Sequence, residues 1–232
     1  MSLGRILLWL VGGTSAVALA LTGIIGFAHT PPGRPLLKWI PGMGDDGCPI
    51  PDVTLTPEQR DEARATSLVA VAGTAASPAQ PALAWSFGTT SRADVERDVA
   101  AHGVACEATS DHALRCTQLP ATLAGGMDAD TALFEFDAKG RLITIDLHEA
   151  VPDAAAAVLL HTQRRDALAA EVGPPTSQRG EPDAAWIAGA PLRIAAASFR
   201  FSDFRAEIET AHLGHERYRL RDLRQAFGAA KP

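Results

Sequence analysis

The chain has 232 residues, of which 47% are hydrophobic, 21% charged and 6% aromatic, and its formal net charge is −6 at neutral pH. This moderate negative charge lacks the basic footprint of a nucleic-acid-binding protein, so we expect no nucleic-acid partner. After the first 28 residues about 200 remain, enough for one domain, or two small ones, with a hydrophobic core.

The segment Ile6–Ala28 contains no charged side chain. As a helix rising about 1.5 Å per residue it would span roughly 34 Å, which crosses a hydrocarbon core of about 30 Å. Residues 1–28 are therefore predicted to be a signal anchor that sits in the lipid bilayer through residues 6–28. A cleaved signal peptide is the alternative, because small residues stand at Ala18 and Ala20, although signal peptides usually carry a shorter apolar stretch.

Beyond this segment, residues 29–55 are rich in proline and glycine and predict a membrane-proximal arm without regular structure. Its apolar residues, among them Trp39, rest either at the membrane interface or on the following domain. A helix and linker at 56–82 and an α+β extracytoplasmic domain at 83–232 complete the predicted organisation. The flanking charges are nearly balanced across the apolar segment, so they leave its orientation open.

The first helix is predicted from the start signal Thr56-Pro57-Glu58-Gln59, which combines an N-cap, a first-turn proline and a third-position glutamine. It should run from about Pro57 to Val71. A linker over 73–81 and a short strand over 82–87 follow. Thr90 or Ser91 then caps a second helix over 92–101, where Val95 and Val99 lie on one face.

Two of the three cysteines flank a predicted hairpin. Cys106 and Cys116 lie in strand-like runs on either side of the turn-forming triplet Ser110-Asp111-His112. A hairpin centred on Asp111 places these cysteines opposite each other, close enough for a disulfide. Two buried thiols are the alternative, and the spacing matches no usual zinc pair. Cys48 is left over, either free or paired between two chains.

A disulfide requires an oxidising compartment, and this settles the predicted orientation of the apolar segment. We expect a single-pass protein of the inner (cytoplasmic) membrane whose carboxyl-terminal domain lies in the periplasm. If the apolar segment is a cleaved signal, the mature protein is instead periplasmic or secreted.

The remaining chain predicts strands around one long helix. A hairpin joins 132–136 to 141–147, and Asp153 caps a helix that ends at about Val172 before Gly173. Segments 184–187, 192–201 and 204–213 are predicted as strands, and 216–227 as a short helix or edge segment. Strands joined by tight turns pair antiparallel, so the predicted fold class is α+β.

The order of these elements is typical of a known layout. A small-residue entry at Phe87–Ser91 precedes the helix around Asp94–Glu96, and Gly103 then leads into a strand; Leu168–Thr176 repeats this helix–glycine–strand exit. Over Phe87–Leu213 the chain resembles the helix-then-meander units of β-lactamase-inhibitor-like proteins and of the small lipoprotein of the outer-membrane barrel-assembly machine. The resemblance implies a periplasmic binding or scaffolding module without catalysis. No cysteine directly follows the apolar segment, which departs from a lipoprotein, so no specific partner carries over.

Motifs of catalysis and cofactor binding are missing from the sequence. It has no G-x-S-x-G, S-x-x-K, G-x-G-x-x-G or phosphate-loop pattern, so no catalytic or cofactor-binding residue is assigned. His212 and His215 have a spacing that suits a metal only on a helix, and they fall near a predicted strand end. The pairs Asp45–Asp46 and Asp128/Asp130 could hold calcium, but short acidic loops are usually solvated. We therefore expect no metal and no cofactor.

A basic stretch near the carboxyl end contains Arg217, Arg219, Arg221 and Arg224. It would either meet an anionic partner or lipid headgroups, or pair with Glu207, Glu209 and Glu216, which we prefer. Taken together, the sequence predicts a membrane-anchored periplasmic protein that binds or scaffolds an envelope partner without catalysis. The alternatives are an exported, hydrolase-like enzyme with an unrecognised active site and a cleaved, secreted binding protein.

Overall fold

A computed structural model of the chain describes residues 55–215 and 217–227. The apolar segment 6–28, the proline-rich arm, Cys48 and Asp45–Asp46 lie outside these residues. Within the described part of the chain, no helix is both long and apolar enough to cross a membrane.

Four helices and ten strands make up the described fold. The helices are α1 (Pro57–Val69), α2 (Arg92–Ala101), α3 (Ala154–Val172) and α4 (Ala184–Ala188). The strands are β1 (Pro81–Ala82), β2 (Trp85–Ser86), β3 (Ala105–Ser110), β4 (Ala113–Leu119), β5 (Ala129–Phe136), β6 (Leu142–Val151), β7 (Ser177–Arg179), β8 (Ile194–Arg200), β9 (Phe204–His212) and β10 (Tyr218–Ala226). The fold is α+β with a large antiparallel sheet, as the sequence predicts.

Strands β3 to β10 form one eight-stranded sheet in the order β3-β4-β5-β6-β10-β9-β8-β7. Every pairing is antiparallel. From each edge of the sheet to its centre, the strands follow their order in the chain. The strands therefore form two sets of four, each preceded by a helix, and the last strand of each set lies at the centre of the sheet. The two sets are α2 with β3–β6, and α3 with β7–β10, with α4 inserted between β7 and β8. They join where β6 pairs with β10.

The hydrophobic core lies on the face of the sheet that α2, α3 and α4 cover. It combines apolar side chains of the strands, such as Phe134 and Phe199, with Val95 of α2, Leu168 of α3 and Ile187 of α4, all of them fully buried. Burial of these side chains is the main driving force for packing the three helices on this one face.

Helix α1 lies at one end of the opposite face. Thr56 and Gln59 form the predicted capping box at its start. Arg64 donates from Nη2 to the Thr144 hydroxyl at 3.3 Å and to the Ala226 carbonyl at 3.1 Å. The side chain of Asp61 accepts from the backbone of Ala138 at 2.8 Å. These contacts fix α1 across the ends of β6 and β10.

The predicted cysteine hairpin forms with the expected register. Cys106 of β3 lies opposite Cys116 of β4, and a disulfide joins them. The Cys116 side chain is buried and belongs to the core. The disulfide therefore fastens the edge strand β3, which pairs with one neighbour only, to the rest of the sheet.

Three sequence predictions are wrong. Segment 82–87, predicted as one short strand, falls in the tight β1–β2 hairpin, in which Ala82 pairs with Trp85. Segment 184–187, predicted as a strand, is the start of α4, because the Asp183 side chain caps it by accepting from the backbone of Trp186 at 2.8 Å. Segment 216–227, predicted as a short helix or edge segment, contains β10, which lies in the middle of the sheet. Its arginines suggest exposure in the sequence, but Arg219 pairs with Glu209 of β9 and Arg221 pairs with Asp146 of β6.

Candidate functional site

The face of the sheet opposite the core is polar along its three central strands. We call this surface the open face: Asp146 and His148 of β6, Arg219, Arg221 and Leu223 of β10, and Glu207 and Glu209 of β9. Arg221 pairs in register with both His148 and Glu209, so these side chains share one face. Acidic and basic groups alternate across the neighbouring strands, which brings opposite charges together.

Ion pairs connect these strands. Arg221 donates from Nε and Nη2 to the two carboxylate oxygens of Asp146, each at 2.8 Å, and His148 Nε2 lies 3.4 Å from the same carboxylate. Burial acts to raise the pKa of Asp146, but the hydrogen bonds from His148 and Arg221 outweigh it and hold the pKa below its usual value. Glu209 lies 3.6 Å from both Arg179 and Arg219. The open face is therefore a charged surface whose pairs are already formed.

A cleft of about 410 Å³ opens at the end of β6 and β10 that lies far from α1. We call it the end cleft. Its walls combine exposed and buried apolar side chains with a few ionisable ones: Asp130, His148, Glu149, Ala150, Val151, Pro152, Leu213, Arg217, Tyr218 and Arg219. His148 and Arg219 belong to the open face as well, so the cleft and the open face are continuous. Its volume falls within the range of small-molecule pockets.

Polar atoms without partners occur on both faces of the sheet near the end cleft. Among the described residues, four buried side-chain nitrogen or oxygen atoms lack a hydrogen-bond partner: Arg64 Nε, Glu149 Oε2, His212 Nε2 and Arg219 Nε. Arg219 belongs to the open face and lines the cleft. Glu149 and His212 pair in register with the core residues Leu220 and Tyr218, so their side chains lie on the opposite face, where the His212 ring stacks on Tyr218 with ring centroids 4.8 Å apart. Buried polar groups are nearly always hydrogen-bonded, so the unpaired Arg219 atom in the cleft wall points to a binding site.

Glu149, on the face of the sheet that α3 covers, has a perturbed pKa. Burial raises its pKa above the usual value, and the charges of Asp128 and Asp130 raise it further, while Arg164 acts in the opposite direction. Ionising this carboxyl group therefore costs more than ionising one in water.

The residues singled out in the sequence are placed differently by the structure. His212 is buried, with Nδ1 3.0 Å from the carbonyl oxygen of Ala190, whereas His215 is exposed. The Asp130 side chain of β5 accepts a hydrogen bond from the backbone N–H of Ala150 on the neighbouring strand β6. The part of the chain that the structure describes holds no group of three or more potential metal ligands.

Glu149 belongs to no recognised sequence motif, and the sequence analysis did not name it as a candidate functional residue. A local signal existed: it stands in a strand between the apolar residues Leu147 and Val151, at positions that alternate toward one face. An acidic residue is unusual at a strand position that faces the core.

The chain was compared with protein-family models, with curated proteins and with solved structures, and nothing matches.

Proposed function

We propose that this protein is a membrane-anchored periplasmic module that binds a partner protein through the end cleft and the adjoining open face, without catalysis. The observation that supports it is an apolar cleft whose wall holds the unpaired Nε of Arg219, next to the ion pairs of the open face. Protein interfaces commonly place an apolar pocket for one anchoring side chain inside a polar rim.

The end cleft has this anatomy. Leu213 is 41% exposed beside it, and Val151 and Pro152 form its apolar wall. The ion pairs of the open face would form the polar rim, and arginine is enriched at interfaces. Anchoring would rest on residues 6–28, and the disulfide favours the oxidising periplasm over the cytoplasm.

Site-directed photo-crosslinking of the full chain in its native envelope tests the binding surface. A crosslinker at Leu213 should yield a defined protein adduct, whereas one at Leu159, which is 58% exposed on α3, should yield none. Adding Arg219→Glu to the Leu213 probe should abolish the adduct, because it reverses a charge in the cleft wall. The proposal fails if both positions give the same adducts or if the Leu213 probe gives none.

Membrane attachment needs its own measurement. Extraction of membranes at high pH should leave the full chain in the pellet, and amino-terminal sequencing should begin at or near Met1. A mature protein that begins after residue 20 or 28 would show a cleaved, secreted or periplasmic binding protein in place of an anchored one.

Glu149 favours a second candidate, an exported hydrolase-like enzyme. A half-buried carboxyl group with a raised pKa, close to the charges of Asp128, Asp130 and Arg164, is a common feature of acid–base catalytic sites. Hydrolysis of p-nitrophenyl esters, phosphates and glycosides by the full chain tests it. Glu149→Gln should lower any such activity at least about a hundredfold. An absence of activity, or an activity that this change leaves intact, removes the second candidate.

A further inference from the structure

Two arginines and one aspartate form a buried cluster beneath α3, away from the end cleft. Asp222 of β10 is fully buried, and Arg164 of α3 and Arg224 of β10 are 6% and 3% exposed. Arg224 donates from Nε and Nη2 to the two carboxylate oxygens at 3.0 and 3.1 Å, and Arg164 Nε donates to Oδ2 at 3.1 Å. Both guanidiniums therefore share a single carboxylate.

The three side chains of the cluster together carry one net positive charge. Burial of an unpaired charge is costly, and proteins usually neutralise it with a partner. Among the described residues, Glu171 of α3 is the one other carboxyl group beside the cluster's cavity, but it is exposed and makes no ion pair with either arginine. Glu149 is close enough to Arg164 to feel its charge, but within the described part of the chain no ion pair joins these two side chains.

A cavity of about 430 Å³ lies directly beside the two arginines. The β1–β2 hairpin, the loop that holds Thr122 and Gly125, and α3 form its walls. Arg164 donates from Nη1 to the Gly125 carbonyl, and Arg224 from Nη1 to the Pro81 carbonyl at 3.4 Å. Each terminal guanidinium nitrogen carries two hydrogens and uses one in these bonds, so further donors remain.

We propose that this cavity binds a small oxyanion, the phosphate or carboxylate group of a small molecule, through Arg164 and Arg224. The planar guanidinium fork matches the geometry of either group, and the anion would neutralise the excess charge. A purely structural role for the cluster explains the hydrogen bonds that its arginines donate to the carbonyl oxygens of Pro81 and Gly125. It does not account for a second buried cation beside a cavity of ligand size.

Titration of the purified full chain with inorganic phosphate and, separately, with succinate tests this site. Ionic strength is held constant with sodium chloride, so that general screening does not contribute. At least one anion should bind with one-to-one stoichiometry in calorimetry and raise the midpoint of thermal unfolding. The anion that binds more tightly, phosphate or succinate, identifies the ligand class. Binding of neither anion overturns the proposal.

Arg224→Gln should weaken the binding at least about tenfold, because it removes a charged donor from the site. Arg219→Gln, a change on the opposite face, is the matched control and should leave the affinity unchanged. If Arg224→Gln keeps the affinity of the original chain, the site is not the one proposed.

Glu171→Gln provides a test that does not depend on the folding of the Arg224 variant. Glu171 is exposed at the cavity, so the change should be tolerated, and it removes a like charge from beside the bound anion. The affinity should rise by about threefold or more. Should Arg224→Gln fail to fold, an unchanged affinity in Glu171→Gln overturns the proposal.

Discussion

Arg164 of α3 and Asp222 of β10 form an ion pair in which the side chains are 7% and 0% exposed. They stand 58 residues apart in the sequence. The pair connects the covering helix to the centre of the sheet, in the middle of the apolar core. Such a contact contributes specificity of packing as well as charge neutralisation, and it is costly to break from one side only.

Asp222→Asn should therefore destabilise the protein by about 3–5 kcal/mol, because it leaves two buried arginines without their carboxylate. Asp146→Asn is the control, since its partner Arg221 is 29% exposed and can turn to water; it should cost about 1–2 kcal/mol. Urea unfolding followed by circular dichroism measures both. Equal losses in the two variants would contradict the special status of the buried cluster.

His161 should make the stability depend on pH between about 4 and 6.5. Burial, aided by Arg165, lowers its pKa from 6.5 to about 4, and its ring lies 3.2 Å from the Thr210 hydroxyl. Between these values the folded protein binds fewer protons than the unfolded chain, so stability falls as the pH decreases, by on the order of 3 kcal/mol. Urea unfolding across this range measures the slope.

His161→Gln should remove this part of the slope, and His102→Gln, at an exposed position, should not. Glu149 acts in the opposite direction, because a raised pKa favours the folded state at low pH, so only the difference between variant and original chain is diagnostic. A slope that survives His161→Gln unchanged would show that other groups cause it.

Loss of the disulfide should weaken the edge of the sheet. Cys106→Ser opens a loop with a sequence separation of 10 and should cost roughly 2–3 kcal/mol in unfolding free energy. Dithiothreitol should lower the stability of the original chain by a similar amount and leave the variant unaffected. Two free thiols at these positions, found by mass spectrometry without reductant, would contradict the bond.

Gly180 should not accept a side chain. Its φ is +70°, and a Cβ there would lie 2.9 Å from Trp186 Cη2 and against the carbonyl oxygen of Ile194. Gly140→Ala is the matched control, with φ +71° and nothing within 4 Å of the added carbon. Thermal unfolding should show a cost of about 1–2 kcal/mol for the control and a further 2 kcal/mol or more for Gly180→Ala. Equal losses of stability in the two variants would mean that Trp186 and the Ile194 carbonyl do not lie close to the Cβ added at Gly180.

Local signals account for what could be predicted from the sequence. The cysteine register depends on one turn, and the capping boxes at Thr56 and Ser91 depend on residues three positions apart. The helix α4 was missed because its run Ala184–Ala188 is too short for periodicity to separate helix from strand.

Strand β10 and the end cleft could not be predicted, for a different reason. The charges of β10 are buried by partners on β6 and α3, far away in sequence, so its pattern resembles an exposed segment. His148 and Arg219 belong to neighbouring central strands, and they line one cleft only because β6 pairs with β10. Long-range pairing of this kind has no local sequence signature.

The arrangement of the strands has a consequence for assembly of the chain. Each four-strand set consists of neighbours in sequence, and within the described residues the two sets share a single strand ladder, β6 with β10. A chain cut between Pro152 and Asp153 would separate the sets and leave the exposed edges of β6 and β10 as complementary surfaces. The two fragments could then reconstitute the sheet when mixed, and in the intact chain docking of the two halves would come after each half has formed.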